Sequence, residues 1–341
     1  MTPLLASQGS EVMRVLVTGG TGFTGSHLVR RLLKAGHDVY TIDNAKGLFF
    51  QELADLGAKI ELGSIADQAF CERAIEWSTP EVVHHLAAAF RQLNVPKRYY
   101  WDVNVEGTRY LCEAAQRAGV RRFVYCSTQG VHGHVANPPG NEDSPITPED
   151  YYQYTKYEGE KVVNEIAART GFEATTVRPT AIYGPGDPGR FLMLYKHSRR
   201  GRFMMFGSGA TTYHPVYIDN LIDCLILAAE KGRPGEAYLA ADEHYYTLND
   251  LIRHVGRSMG LDVKISHYPF WPLYLAALVC EAVCYPLRIT PPLFRRRVDW
   301  FRQVRAFSIE KAKRELGYQP KVGIEEGLRR TADWYRTNGY L

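Results

Sequence analysis

From Arg14 onward, short apolar runs alternate with amphipathic stretches: RVLVTGG precedes HLVRRLLKAG, and HDVYTID, AKIELGS, EVVHHLAAA and RRFVYCST follow with helical patterns between them. Runs rich in β-branched residues predict strands, and apolar positions recurring three and four apart predict helices. Strands separated by such helices predict βαβ units and hence an α/β fold with a doubly wound parallel sheet. Beyond Arg178 the pattern loosens into Gly- and Pro-rich loops with apolar helices, and EAYLAA predicts a return strand near 236–241 that rejoins the sheet. The expected organisation is a sheet domain over 13–178 and a smaller, mixed C-terminal lobe over 179–341.

Composition narrows the class. The chain has 341 residues, of which 45% are hydrophobic and 23% charged, enough to build a large core. Lysine plus arginine numbers 41 against 37 acidic residues, and a formal charge of +4 spread along the chain argues against a nucleic-acid partner. The six cysteines include no Cys-x-x-Cys pair and no Cys/His cluster at zinc-finger spacing, which predicts no metal site and a reducing, cytoplasmic setting. The leader MTPLLASQGSEV has neither a basic n-region nor a long apolar core, so it reads as a loose tail rather than a signal peptide.

The stretch Val15-Leu16-Val17-Thr18-Gly19-Gly20-Thr21-Gly22-Phe23-Thr24-Gly25 reads as strand, glycine-rich turn and helix start. Glycine permits a tight turn and close approach, and a helix N-terminus aims N–H groups and positive dipole at a pyrophosphate. Asp43 ends the next strand, where its carboxylate can accept hydrogen bonds from ribose hydroxyls and would repel a 2′-phosphate. That combination points to NAD. An ordinary loop and a turn-capping aspartate are the structural alternatives.

Tyr152 and Lys156 open a predicted helix four residues apart and share one helix face. A phenol with a pKa of about 10 needs a neighbouring cation to act as a base near neutrality, and Lys156 can supply it. Thr128, at the carboxyl end of RRFVYCST, can orient the substrate oxygen. Tyr157 and Lys161 repeat the spacing one turn later, but the strand, turn and helix context favours Tyr152 and Lys156. Together these residues suit proton transfer coupled to hydride transfer to nicotinamide.

Taken in order, TGGTGFTG, Asp43, HLAAA, VNVEGT, VYCST, the Tyr152/Lys156 pair, RPTAIYGPGD and YHPVYIDN resemble the extended short-chain dehydrogenase/reductase family over nearly the whole chain. The resemblance implies a Rossmann-like sheet in which Gly19, Gly22, Phe23 and Thr24 meet the pyrophosphate. It also implies that Asn44, Ser64, Ile65, Leu86, Ala87, Ala88, Cys126 and Pro179 lie beside the cofactor, and that Asn104 braces the sheet. In GSIAD, Ser64 stands where many relatives carry Asp. Gln129, Tyr183 and His214 are the candidate substrate contacts, and His132 and His134 read as structural.

Three features bear on the branch. Gln129 and Gly130 follow Thr128 where sugar-nucleotide dehydratases resemble one another in carrying Asp and Glu. Tyr213 stands where many nucleotide-sugar enzymes carry a phosphate-gripping Arg, a role open here to Arg190, Arg199, Arg200 or Arg202. The segment 269–286 looks like the apolar segment of the 3β-hydroxysteroid and sterol-4α-carboxylate 3-dehydrogenase branch. It is too short to cross a bilayer, and it either packs on the lobe's own core or forms an interfacial helix or apolar lid. Arg295, Arg296 and Arg297 either meet lipid headgroups or form a solvated face, so peripheral membrane contact through 269–297 stays open.

The leading expectation is an NAD-dependent dehydrogenase for a hydroxysteroid-like or other apolar small-molecule alcohol. The alternative is a nucleotide-sugar 4-epimerase that keeps NAD bound, and the third is a non-catalytic NAD-binding protein, which an intact Thr128, Tyr152 and Lys156 argue against. The resemblance also implies a homodimer paired through 105–118 and 158–168.

Overall fold

The computed structural model describes residues 12–341 except 91, 93, 94, 188, 285, 288 and 290. The leader read as a loose tail lies, apart from Val12, outside the described residues. Six strands, β1 (Arg14–Thr18), β2 (Asp38–Asp43), β3 (Lys59–Leu62), β4 (Val82–His85), β5 (Arg122–Cys126) and β6 (Ala174–Pro179), combine with the strand Ala237–Ala240 into one seven-stranded sheet. Its order is Ala237–Ala240, β6, β5, β4, β1, β2, β3, with every pairing parallel. The expected doubly wound sheet is therefore present, and the return strand pairs with β6.

Both faces of the sheet are covered, which is why its central strands read as continuous apolar runs rather than alternating ones. Val15 and Val17 of β1 join the cluster containing Leu28, Val29 and Leu225 on one face, and Leu16 joins Ile75, Leu111 and Val163 on the other. The sheet order reverses between β1 and β4, and the crevice outside their carboxyl ends is where such sheets hold ligands.

Among the described residues, the later part of the chain adds three two-stranded sheets. Pro215–Tyr217 pairs in parallel with Ala181–Tyr183, Lys264–Tyr268 in parallel with Arg202–Phe206, and Tyr246–Thr247 antiparallel with Thr212–Tyr213. The apolar helix Phe270–Cys284 follows, with only Ala277 and Glu281 fully buried. No described helix is long and apolar enough to cross a membrane.

Candidate active site

The glycine turn is shaped by close backbone approach. Gly19 has a φ of 70°, and a Cβ there would stand 3.0 Å from the Ala87 backbone. A Cβ on Gly25 would overlap the Gly19 carbonyl, so the first turn of α1 (Phe23–Lys34) can lie against the loop only as glycine. Gly22 is the N-cap of α1 and offers no side-chain cap, leaving the helix dipole and first-turn N–H groups facing the crevice. Asp43 is tied to the same loop: its Oδ2 accepts from Thr21 N at 3.1 Å and Thr21 Oγ1 at 2.7 Å, and its Oδ1 accepts from Asn44 N at 2.9 Å.

A buried polar chain holds the opposing loop. Thr108 Oγ1 donates to the Asn104 carbonyl at 2.8 Å, so its contact with His85 Nε2 at 3.0 Å makes that nitrogen the N–H. His85 Nδ1 then accepts from Thr18 Oγ1 at 2.7 Å, and Thr18 Oγ1 accepts from Leu86 N and Ala87 N. Burial lowers the His85 pKa well below the usual value, which keeps the ring neutral in this role. Asn104 lies in a single wide helical turn, Asp102–Glu106, where its Oδ1 accepts from Ala89 N at 2.8 Å and its Nδ2 donates to Thr155 Oγ1 at 3.0 Å. Asn104 thus links the loop to the helix that carries Tyr152 and Lys156 without lining the cavity.

The helix Tyr151–Thr170 begins at Asp150, whose side chain accepts from Gln153 N at 2.9 Å and fixes the first turn. The Tyr152 ring packs 4.8 Å from Phe90. Lys156 is 1% exposed, and its ammonium stands 4.1 Å from the centre of the Tyr125 ring. Burial pushes the Lys156 pKa down to about 8, opposed by Cys126 and Glu160, so the amine stays charged at neutral pH. Thr128 Oγ1 accepts from Gly130 N at 3.1 Å, which leaves its hydroxyl proton to donate.

These parts converge. A cavity of about 660 Å³ is lined by Gly19, Gly22, Phe23, Thr24, Asp43, Asn44, Ser64, Ile65, Leu86, Ala87, Ala88, Cys126, Thr128, Gln129, Tyr152, Lys156 and Pro179. The sequence profile of the NAD dependent epimerase/dehydratase family matches residues 15–241.

The chain belongs to this family.

It is 31% identical to a 2-alkyl-3-oxoalkanoate reductase of Stenotrophomonas maltophilia, over 93% of this chain and 98% of that protein. It is likewise 31% identical to a 3 beta-hydroxysteroid dehydrogenase/Delta 5-->4-isomerase of Mycobacterium tuberculosis, over 97% of this chain and 92% of that protein. Among solved structures it is similar to a UDP-glucose 4-epimerase with UDP-glucose from Thermotoga maritima, with a TM-score of 0.78, 28% identity, and coverage of 96% of this chain and 99% of that one. The protein is accordingly an NAD-dependent enzyme of the extended short-chain dehydrogenase/reductase type.

The residues of this chain fit the cofactor. Beyond the glycine cradle and the uncapped helix start, Ser127 Oγ, Gln129 Oε1 and Thr180 Oγ1 are buried without a hydrogen-bond partner among the described residues, and all three residues line the cavity. Buried polar atoms left this way cost free energy until something fills the space and pairs with them. Among the described residues no group of three His, Cys, Asp or Glu could hold a metal.

Two of the expected substrate contacts are corrected. Tyr183 is fully buried, stacked 4.7 Å from Phe191 with its hydroxyl donating to Asp242 Oδ2, and it does not line the cavity. His214 is also buried, with Nε2 on the Asp242 carbonyl and Nδ1 accepting from Phe307 N, and burial pushes its pKa down to about 4. Both pack inside the later lobe. His132 is structural too: Nδ1 donates to the Ser144 carbonyl, Nε2 accepts from Arg178, and Arg178 forms a buried pair with Glu160 at 2.6 Å.

Several lining residues escaped the sequence reading. Arg296 and Arg305 reach the cavity wall, where Arg296 pairs with Asp150 at 2.8 Å and Arg305 lies 3.7 Å from Glu149. The triple arginine is therefore not a uniform solvated face: Arg295 pairs with Glu281 at 2.6 Å and Arg296 turns to the site. Of the four arginines weighed as a phosphate clamp, Arg199, Arg200 and Arg202 do not line the cavity, and the Arg190 side chain lies outside those described. No short-range signal marks Arg296 or Arg305. Ser127 and Thr180 could have been flagged as immediate neighbours of Thr128 and Pro179.

Proposed function

We propose that this protein moves hydride between nicotinamide and a secondary alcohol or ketone on an apolar substrate, with Tyr152, Lys156 and Thr128 doing the proton chemistry. The observation that carries this reading is their convergence with the glycine turn on one cavity. Bound NAD supplies the hydride acceptor. Tyr152 Oη takes the proton of the substrate hydroxyl, and the Lys156 cation favours the phenolate that does so. The Thr128 hydroxyl, its oxygen anchored by Gly130 N, donates to the substrate oxygen and fixes its direction. Leu86, Phe90, Val103 and Ile182 supply an apolar lining, and the two relatives at 31% identity are named for a 2-alkyl-3-oxo acid and a hydroxysteroid.

Growth of reduced-cofactor absorbance with NAD and a panel of 3-hydroxysteroids and 2-alkyl-3-hydroxy acids is the expected result. Absence of turnover across the whole panel, in both directions, overturns the proposal.

One observation favours a second reading, a nucleotide-sugar 4-epimerase. Arg296 and Arg305 bring two guanidinium groups to the cavity wall, and planar forked donors suit phosphate oxygens. Their partners Asp150 and Glu149 already offset that charge, which places this reading second. Epimer formation from a UDP-sugar with no net cofactor reduction would reverse the order, and failure of UDP-sugars to shift the melting temperature removes it.

We also place the protein in the cytoplasm as a homodimer paired through 105–118 and 158–168. The free cysteines suit a reducing compartment, and sedimentation as a monomer at micromolar concentration would refute the dimer.

A further inference from the structure

Tyr152, Lys156 and Glu160 follow one another at one-turn spacing along the helix Tyr151–Thr170, so a carboxylate stands one turn beyond the ammonium on the same face. Both are out of solvent, Lys156 at 1% and Glu160 at 2% exposure. A buried carboxylate attracts an ammonium far more strongly than the face of a ring does. The Lys156 ammonium nevertheless lies over the Tyr125 ring, 4.1 Å from its centre. That ring comes against the helix because residue 159 is glycine: a Cβ there would stand 2.3 Å from Tyr125 Oη.

Arg178 accounts for the arrangement. Its Nε donates to Glu160 Oε1 at 3.0 Å and its Nη2 to Oε2 at 2.6 Å, so one planar fork takes both oxygens. The remaining nitrogen, Nη1, donates to His132 Nε2 at 3.1 Å and to the Glu142 carbonyl at 3.2 Å. The guanidinium is thus held from the helix and from the loop that follows β5, which fixes its direction.

We propose that Arg178 is a positioning residue for the proton-transfer site: by occupying both oxygens of Glu160 it leaves the Lys156 ammonium to face the cofactor cavity. Neither Arg178 nor Glu160 lines that cavity, so both act through Lys156, and the proposal rests on the role given to Lys156 above. The groups facing Lys156 are Tyr152 and Glu160 on its own helix, Tyr125 and Cys126 on β5, and His85 on β4. Burial keeps His85 neutral and pushes the Cys126 thiol up to about 11, so among the described residues Glu160 is the carboxylate that can compete for the amine. Glu160 in turn is faced by Lys156, Tyr125, His132 and Arg178. Of these, Arg178 alone reaches it with a two-pronged donor.

The test is NAD affinity of the full chain, measured by calorimetry from pH 6 to 10. The wild-type affinity is expected to decline as the ammonium deprotonates, and the midpoint of that decline reports Lys156. Arg178→Met releases the carboxylate, which then draws the ammonium off the cavity and holds its proton. NAD affinity at pH 7 is expected to fall at least ~tenfold and the midpoint to rise by ~1 pH unit. Glu160→Gln keeps the shape and removes the anion, so its midpoint is expected to move down instead. The double variant Arg178→Met/Glu160→Gln carries neither charge and is expected to recover NAD affinity at pH 7 to within ~threefold of wild type.

If Arg178 only braced β6, the double variant would bind NAD as weakly as Arg178→Met and the midpoint would stay in place; either result overturns the proposal. Where Arg178→Met does not fold, Glu160→Gln decides, and a midpoint that stays or rises overturns it. A flat wild-type profile removes Lys156 from cofactor binding and the proposal with it, whereas a wild-type decline that the variants fail to shift overturns the proposal alone.

Discussion

The wall of the cavity formed by the glycine turn, Asp43 and residues 86–89 is built from backbone, whereas the wall carrying Arg296 and Arg305 is built from long side chains supplied by the far end of the chain. In the first, positions follow from turn geometry and from N–H groups pinned to Thr18 Oγ1, with little rotamer freedom left to lose. In the second, guanidinium groups are held by carboxylates: the Arg296 side chain is 48% exposed, and such pairs contribute about 0–1 kcal/mol. The glycine-turn wall is thus preorganised, and the arginine wall can be re-dressed at small cost in stability.

Tyr152→Phe should produce the largest effect and tests whether chemistry can be separated from cofactor holding. Turnover is expected to fall by roughly a hundred- to ten-thousand-fold with NAD affinity nearly unchanged by calorimetry; retained turnover removes Tyr152 from its role. Arg178→Met probes the brace behind Pro179. It strands Glu160, which is 2% exposed, and should cost ~3–5 kcal/mol in urea unfolding, and a loss below ~1 kcal/mol would show that the brace is dispensable.

Gly19→Ala strains a positive-φ position against Ala87 and should cost ~1–2 kcal/mol of stability while weakening NAD binding. Equal NAD affinity would contradict the backbone-built wall.

The pH dependence has a defined sign. A lysine carries its charge below its pKa, and the Lys156 ammonium, pushed down to about 8 by burial, deprotonates as pH rises through that value. Because Lys156 shares the cavity with the glycine turn, its ammonium is placed to attract the anionic cofactor; NAD affinity is therefore expected to hold from pH 6 to 7 and to decline above about 8, Lys156→Met should flatten the profile, and an unchanged wild-type profile would separate the amine from cofactor binding. The smallest effect is Arg296→Ala. Stability should change by less than ~1 kcal/mol, while the KM of an anionic substrate rises and that of a neutral apolar one does not. A large stability loss would mean that the second wall is as rigidly built as the first.

What could be read from the chain is what depends on neighbours in sequence. The strand, glycine turn and α1 follow from β-branched runs, from positions where only glycine can turn, and from a helix period that sets in at once. Tyr152 and Lys156 are legible because four residues of helix bring two side chains to one face whatever surrounds them. Tyr183 and His214 looked like substrate contacts because they sit in motif-bearing segments, but burial is a property of the neighbours. Phe191 and Phe307 decide it from segments that no local pattern ties to them.

The sequence by itself thus determined the parallel sheet, the dinucleotide turn and the placing of Tyr152 and Lys156 on one helix face, since each rests on local backbone preference or helical spacing. Only the tertiary structure decided which arginines face the cavity, which polar atoms are left without partners inside it, and that Glu281 folds inward to leave an uncharged helix face outside. Those features depend on contacts between residues far apart in the chain, and such contacts are selected by packing the whole molecule rather than by any window of it.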